Sequence, residues 1–345
     1  MASLSARFAA FSRTTRRRAP LYSRLSDGIA TSALLPELYA DAPRPARVPV
    51  TLFAAVHYLL LGEPGTELAR HYPNLTPPGE RAGGDPVPVF LDFCARHVTR
   101  IRELVATRLP QTNEIGRSAL LVAGLGQLGG GPWAQLDVGA SAGLNLMLDR
   151  LAYDDGHGVL GGGELVVECS VRPDGRRLAP AVPEISSRLG LDTSPVDLAD
   201  PDAARWLEAC VWPDQEDRFR RLERAVALFR ADPVPVRRGD AVADLAGALG
   251  DLGPGSPVVT TSWALCYLDA AAQSAWVDEL DSHGEASELS WVWVESPHQV
   301  PVLPVEGDLV GSDATVLGTT TWRDGVRTDR ALARCHPHGY WLSWF

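Results

Sequence analysis

The segment Trp133-Ala134-Gln135-Leu136-Asp137-Val138-Gly139-Ala140-Ser141-Ala142-Gly143-Leu144-Asn145-Leu146 reads as a strand, a tight turn and the start of a helix. The apolar run ends in an acid, Asp137. A turn of small residues, Gly139 to Gly143, then leads into apolar positions at helical spacing. Glycine at both ends of the turn opens backbone angles closed to other residues and keeps side chains away from a ligand. In α/β proteins such a turn, presenting backbone N–H groups at a helix start, is where a nucleotide or nucleoside rests.

Outward from this segment, strand and helix patterns alternate, which predicts a parallel sheet. Leu144–Tyr153 reads as the first helix and Gly156–Gly163 as a loop. Leu165–Glu168 reads as a strand ending in an acid, and 171–200 as irregular chain containing Gly190-Leu191-Asp192. Helices follow at Ala203–Val211 and Asp217–Phe229, separated by Trp212-Pro213. A short strand at Val234–Ala241 ends in Asp240-Ala241. The pattern continues with a helix at Val242–Leu249, a strand at Pro257–Trp263, a helix at Ala271–Leu280 and a strand at Leu289–Glu295. Thr315–Thr321 and Tyr340–Trp344 read as two further strands.

Before this segment the chain is helical. Residues 3–30 carry apolar positions at helical spacing, with Arg7, Arg13, Arg16, Arg17, Arg18 and Arg24 on the polar face and no acid before Asp27. A proline-rich connector covers 36–49, a buried helix Val50–Leu61, a proline- and glycine-rich loop 73–88 and an amphipathic helix Val89–Leu109. A second helix, running to Leu128, follows Gln111-Thr112-Asn113-Glu114. One polar residue there can cap it. Asn113, Glu114 and Arg117 exceed that need and are candidate substrate-pocket residues. The division expected is a helical N-terminal cap, 1–130, on an α/β domain, 131–345.

The bulk composition fits a packed protein: 345 residues, 45% hydrophobic and 22% charged, with a net charge of −11 that gives a nucleic-acid partner no electrostatic support. All 32 basic residues are arginine, which excludes a catalytic lysine. Five scattered cysteines with no CxxC pair read as reduced thiols. The arginines near the N-terminus are not followed by the apolar run of a signal sequence, and the run Leu52–Leu61 is too short to span a bilayer, so a cytoplasmic location with no membrane partner is expected. No motif specifies an oligomeric state.

Ligands of open parallel sheets bind beyond the carboxyl ends of the strands. Those ends are Asp137–Gly143, Glu168 or Asp192, Asp240-Ala241, Thr261–Trp263 and Glu295–His298. The turn accepts a ligand against its backbone, and Asp137 can orient the turn or meet an ammonium group. An acid at the second strand end can accept from a ribose diol, and Asp240 from a purine exocyclic amine. Glu168 follows Gly143 by 25 residues and Asp192 by 49, and both remain open. Trp263, at a strand end, is a candidate pocket wall.

Leu136–Gly143 resembles the first motif of the class I S-adenosylmethionine-dependent methyltransferases. Gly239-Asp240-Ala241 is similar to that superfamily's third-strand ending, where the acid faces adenine. Val258–Leu268 is similar to its fourth strand, which leads to the substrate side. Ser141 stands where the superfamily has its middle glycine. More closely, Leu136–Leu146, the segment from Trp206 to Trp212-Pro213 and the closing Pro337-His338-Gly339 to Trp344 resemble a bacterial family, domain of unknown function 2332, over most of the chain. The resemblance implies a doubly wound, mostly parallel Rossmann-like sheet and S-adenosylmethionine as cofactor. It implies cofactor contacts at Asp137, Gly139, Ala140, Ser141, Gly143, Glu168 or Asp192, Asp240, Ala241, Ser262 and Trp263.

The expected reaction is methyl transfer to a small-molecule acceptor, with His298, Glu295 and His338 as candidate general bases. Three other readings stand beside it: a nucleoside-binding regulator without catalysis, a serine hydrolase using Ser141 in Gly139-x-Ser141-x-Gly143, and a nicotinamide-dependent oxidoreductase. A metal at Cys335, His336, His338 and His298 is disfavoured, because ligands two residues apart suit few structural sites.

Overall fold

The computed structural model describes residues 3–345. The chain divides into two compact units, one running to Thr112 and including Asp197–Arg224, the other formed by Asn113–Val196 and Ala225–Phe345. The division therefore falls just before the Asn113–Arg117 cluster rather than at 130, and α7 below belongs with the sheet.

The first unit is helical. It contains α1 (Leu4–Thr15), α2 (Pro20–Ala30), α3 (Leu34–Leu38), α4 (Pro49–Gly62), α5 (Pro86–Arg96) and α6 (Val98–Thr107). The single helix expected over Val89–Leu109 is thus two, interrupted at His97. Phe8, Tyr22, Phe53, Tyr72, Phe90 and Phe93 form its aromatic centre, with Tyr22 stacked on Phe53 at 4.4 Å between ring centroids. His57, on α4, is fully buried there. Its Nδ1 is 3.1 Å from Ala209 O and its Nε2 2.9 Å from Asn74 Nδ2, so a neutral ring donates with one nitrogen and accepts with the other. Burial lowers the ring to about 4.

In the second unit, α7 (Arg117–Leu128) precedes β1 (Trp133–Val138). Then come β2 (Ala152–Asp154), β3 (Val159–Leu160), β4 (Val166–Glu168), β5 (Ser170–Arg172) and β6 (Ile185–Asp192). Helix α8 (Pro201–Ala209) lies in the first unit, and α9 (Glu216–Ala231) carries the division point. The sheet unit resumes with β7 (Val236–Arg238), α10 (Leu245–Gly250), β8 (Ser256–Ser262), α11 (Ala270–Ala286), β9 (Leu289–Glu295), β10 (Thr315–Arg323), β11 (Val326–Cys335) and β12 (Trp341–Trp344).

Nine strands form one sheet in the order β5-β12-β11-β10-β9-β8-β1-β6-β7. The sheet is mostly parallel but mixed. β9, β8, β1, β6 and β7 run parallel, whereas β10 and β11 are antiparallel to their neighbours. Numbered by their order in the chain, the five parallel strands lie 3-2-1-4-5. The order reverses between β1 and β8, the point at which open α/β sheets bind ligands beyond the carboxyl ends of their strands. Trp276 and Leu280 of α11 cover one face, where Trp276 meets Trp291 of β9 edge to face, and α7 packs on β9 and β10.

Three expectations are corrected. The segment after the turn is a 3-10 stretch, Leu144–Arg150, rather than an α-helix to Tyr153. Here Asn113 Oδ1 accepts from Leu144 N, and Arg188 holds Leu146 O and Asp149, so long-range bonds replace helical ones. The region 171–200 is not irregular: it contains β6, the eight-residue neighbour of β1. β4, which ends in Glu168, belongs to a separate three-stranded sheet with β2 and β3.

Candidate functional site

The register settles which acid follows the second strand of the parallel set. β6 pairs with β1 from Trp133 to Val138, and Asp192 stands one residue beyond Leu191, the partner of Val138. Its carboxylate returns to the turn: Oδ2 accepts from Ser141 N at 2.8 Å, and Oδ1 from Ser194 N at 2.7 Å. Glu168 is exposed, in the small sheet, and makes no such contact.

The turn is held from several directions. Gly139, Ser141 and Gly143 have φ of +75°, +53° and +80°. A Cβ on Gly139 would stand 2.4 Å from the Cβ of Ala264, so only glycine lets the turn approach the segment following β8. Gly139 N and Ala140 N donate to Leu191 O, Gly143 N donates to Ala140 O, and Ser141 O accepts from Val196 N. Asn113 bridges the turn, donating to Ala140 O at 3.0 Å and accepting from Leu144 N at 3.1 Å. Most of the backbone N–H groups that a phosphate would need are therefore already bonded, and no α-helix begins here to add its dipole.

Asp137 is buried at the end of β1. Its Oδ1 accepts from Thr260 Oγ1 at 2.6 Å, and that hydroxyl in turn accepts from Gln135 Nε2 at 3.1 Å. Burial pushes its carboxyl up to about 7, against the Thr260 hydrogen bond and the positive charge of Arg117. Glu295, at the end of β9, is also buried and raised to about 7 by desolvation. Its Oε1 accepts from Ala264 N and Leu265 N, holding the chain that leaves β8, which gives it a structural task. Trp263, with φ +53°, lies in that same segment, and its Nε1 is buried without a hydrogen-bond partner among the described residues.

Asp240 is exposed at the end of β7, beside Asp192, whose backbone carbonyl accepts from Gly239 N. Its Oδ1 accepts from Ala243 N and Val242 N, and these bonds lower its carboxyl below the usual range. Ala241 begins that small turn.

Arg117 joins two distant segments: its Nη1 donates to Ser262 O at 2.9 Å and its Nε to Pro337 O at 2.8 Å. Glu114 is buried, with Oε1 accepting from Gly116 N at 3.0 Å and Oε2 3.6 Å from His338 Nδ1. The structure thus brings Glu114, Arg117, Ser262 and His338 together, while the neighbouring Asn113 turns to the Gly139–Gly143 turn. His298 is different: it is exposed, its backbone N–H bonds to Ser312 O, and no described hydrogen bond or ion pair links its ring to this cluster. Residues missed from the sequence are Gln135 and Thr260, which support Asp137, and Gly116 and Pro337, whose backbones hold the cluster. The polar Gln135 in an apolar strand was their only visible sign.

Among the described residues no group of three or more His, Cys, Asp or Glu is arranged to hold a metal ion, and no helix is long and apolar enough to cross a membrane. The family model described as "Uncharacterized protein conserved in bacteria (DUF2332)" matches residues 5–344. The chain belongs to this family. No curated protein and no solved structure matches it.

Proposed function

We propose that this chain is a methyltransferase that uses S-adenosylmethionine and acts on a small-molecule acceptor. The observation that carries the reading is the Gly139–Gly143 turn at the β1/β8 reversal, whose N–H groups are largely bonded within the protein. A ligand there gains a close-fitting backbone surface and few anion donors, which suits a nucleoside without phosphates better than a dinucleotide.

The donor set fits that cofactor. Asp192 keeps lone pairs on both oxygens after its two backbone bonds and can accept from ribose hydroxyls. Among the described residues the hydrogen bonds of the Asp240 carboxylate use Oδ1, so Oδ2 can accept from the adenine amine, beside Ala241. Asp137, whose hydrogen bond among the described residues uses Oδ1, can meet the ammonium group through Oδ2. Ser262 and Trp263, whose indole N–H has no partner among the described residues, stand at the carboxyl end of β8, on the side where such a ligand would lie. Bound there, the sulfonium supplies an activated methyl group, and the protein's work is to exclude water and align two reactants.

Titration calorimetry with S-adenosylmethionine, S-adenosylhomocysteine and NAD tests the reading. Binding of the first two without NAD is expected, and no binding of either at millimolar concentration overturns it. One observation favours a second reading. Ser141 combines the Gly-x-Ser-x-Gly pattern with a positive φ, as in a nucleophile elbow, although a 3-10 stretch follows it where that elbow has a helix. Labelling of Ser141 by a fluorophosphonate would select that alternative.

A further inference from the structure

We propose that Glu114 and His338 form a carboxylate–imidazole pair in which His338 takes the proton of the methyl acceptor and Glu114 positions its ring. The inference rests on the transferase reading above and names the group that reading leaves unassigned.

The pair is built by two clamps. Gly339, with φ +77°, lies so close to the backbone that a Cβ would stand 2.0 Å from Gly116 O, and Arg117 Nε donates to Pro337 O at 2.8 Å. Glu114, Gly116 and Arg117 therefore face His338, Gly339 and Pro337 across one close contact between two chain segments. Within the connection from β11 to β12, His338 N donates to His336 Nδ1 at 3.1 Å, and the His336 ring lies 4.6 Å from that of Tyr340. The groups facing the His338 ring are thus Glu114 from the chain before α7 and His336 and Tyr340 from its own turn, with Arg117 held just beside it on the Pro337 carbonyl. The Glu114 side chain is 3% exposed and that of His338 is 27% exposed. A turn histidine needs no buried acid. Here the acid is covered while the ring keeps one edge accessible, and the 3.6 Å separation is one that closes to a hydrogen bond by a small ring rotation. Arg117 also binds Ser262 O, which ties the pair to the end of β8.

With Nδ1–H directed at Glu114, the neutral ring carries its lone pair on Nε2. In the transfer step the acceptor atom's electron pair forms the bond to the methyl carbon. The methyl–sulfur bond breaks, its electrons remaining on sulfur. The acceptor's proton passes to Nε2. One positive charge leaves sulfur and one appears on the imidazolium, which the Glu114 carboxylate offsets before the proton escapes through the exposed ring edge.

Long-range nitrogen–proton spectra of the full chain, labelled in its histidine rings and assigned with H338N, test the pair without cofactor. Neutral His338 is expected as the Nδ1–H tautomer, and Glu114→Leu is expected to reduce that form relative to Nε2–H by about tenfold. Diethyl pyrocarbonate, which acylates an unprotonated ring nitrogen, should label wild-type His338 about tenfold faster than His338 in E114L. A wild-type ring in the Nε2–H form overturns the pair whether or not E114L folds, and so do equal labelling rates in a folded E114L. H338N should bind S-adenosylmethionine as the wild type does. Wild-type protein that fails to bind the cofactor refutes the transferase reading and the acceptor role with it, while the spectra still decide whether the pair exists.

Discussion

If Asp137 receives the cofactor's ammonium group, the affinity for S-adenosylmethionine follows the ionisation of one buried carboxyl. Only the ionised form attracts the ligand, and burial places its midpoint at about 7. The ionised fraction then rises from about 3% at pH 5.5 to half at pH 7, so affinity rises about fifteenfold across that interval and levels off above it. The ligand's ammonium stays charged throughout this range. Glu295 shares the same midpoint but has its Oε1 committed to Ala264 N and Leu265 N. Calorimetry at several pH values on wild type, D137N and E295Q separates the two acids. D137N should bind weakly with no pH dependence, whereas E295Q should keep the wild-type slope. A pH-independent wild type, or a slope that survives in D137N, refutes the assignment.

The same carboxyl makes an opposite prediction for stability. Its folded-state value lies above its unfolded one, so its stabilising effect is full below pH 3.8 and is lost as pH rises through 7, a change of about 4 kcal/mol. D137N should therefore be more stable than wild type at pH 8 in denaturant titrations of the ligand-free protein, the usual relation between a binding group and a fold that tolerates it.

Further outcomes follow from single contacts. His57 is lowered to about 4 from 6.5, so its contribution is present above pH 6.5 and about 3 kcal/mol is lost as pH falls through 4; H57Q should flatten the wild-type loss over that window in urea unfolding followed by tryptophan fluorescence. Gly139→Ala should cost about 1–3 kcal/mol, because it adds both the positive-φ strain and the contact with Ala264, whereas Gly130→Ala, with φ +81° and open space around it, should cost only the first; their unfolding midpoints compare the two. Asn113→Ala leaves Leu144 N without its partner and removes one of two donors from Ala140 O, which Gly143 N still satisfies, and should cost about 1–3 kcal/mol in the same assay.

How much of this was legible in the sequence depended on how far the deciding contact lay. The sequence marks Leu289–Glu295 with its observed ends, because a continuous apolar run buried on both faces carries its own signal. β6 was not read as a strand. Its Ser186, Ser187 and Arg188 break the apolar pattern, and the partners that satisfy them, Pro254 O, Gly253 N and Asp149, lie elsewhere in the chain. The choice between Glu168 and Asp192 stays open in the sequence for the same reason. Both follow short apolar runs, and only the pairing of β6 with β1 distinguishes them.

The site cluster shows the converse. At the start of α7 a cap accounts for one polar residue, yet Asn113, Glu114 and Arg117 are all buried. Their partners are the turn after β1, the end of β8 and the turn before β12, separated from them by 27, 145 and 220 residues at Ala140, Ser262 and Pro337. Local chemistry could not justify three buried polar side chains in five positions, since each costs free energy unless something distant pairs with it. Polarity in excess of local need was therefore a usable sign of a long-range site, although it named none of the partners. It points to Asn113–Arg117, the residues leading into α7, as the place that contacts the ends of β1 and β8 and the β11–β12 connection. Arg117 bonds two of these segments and Asn113 the third, which makes Arg117 the position where a single change reaches furthest.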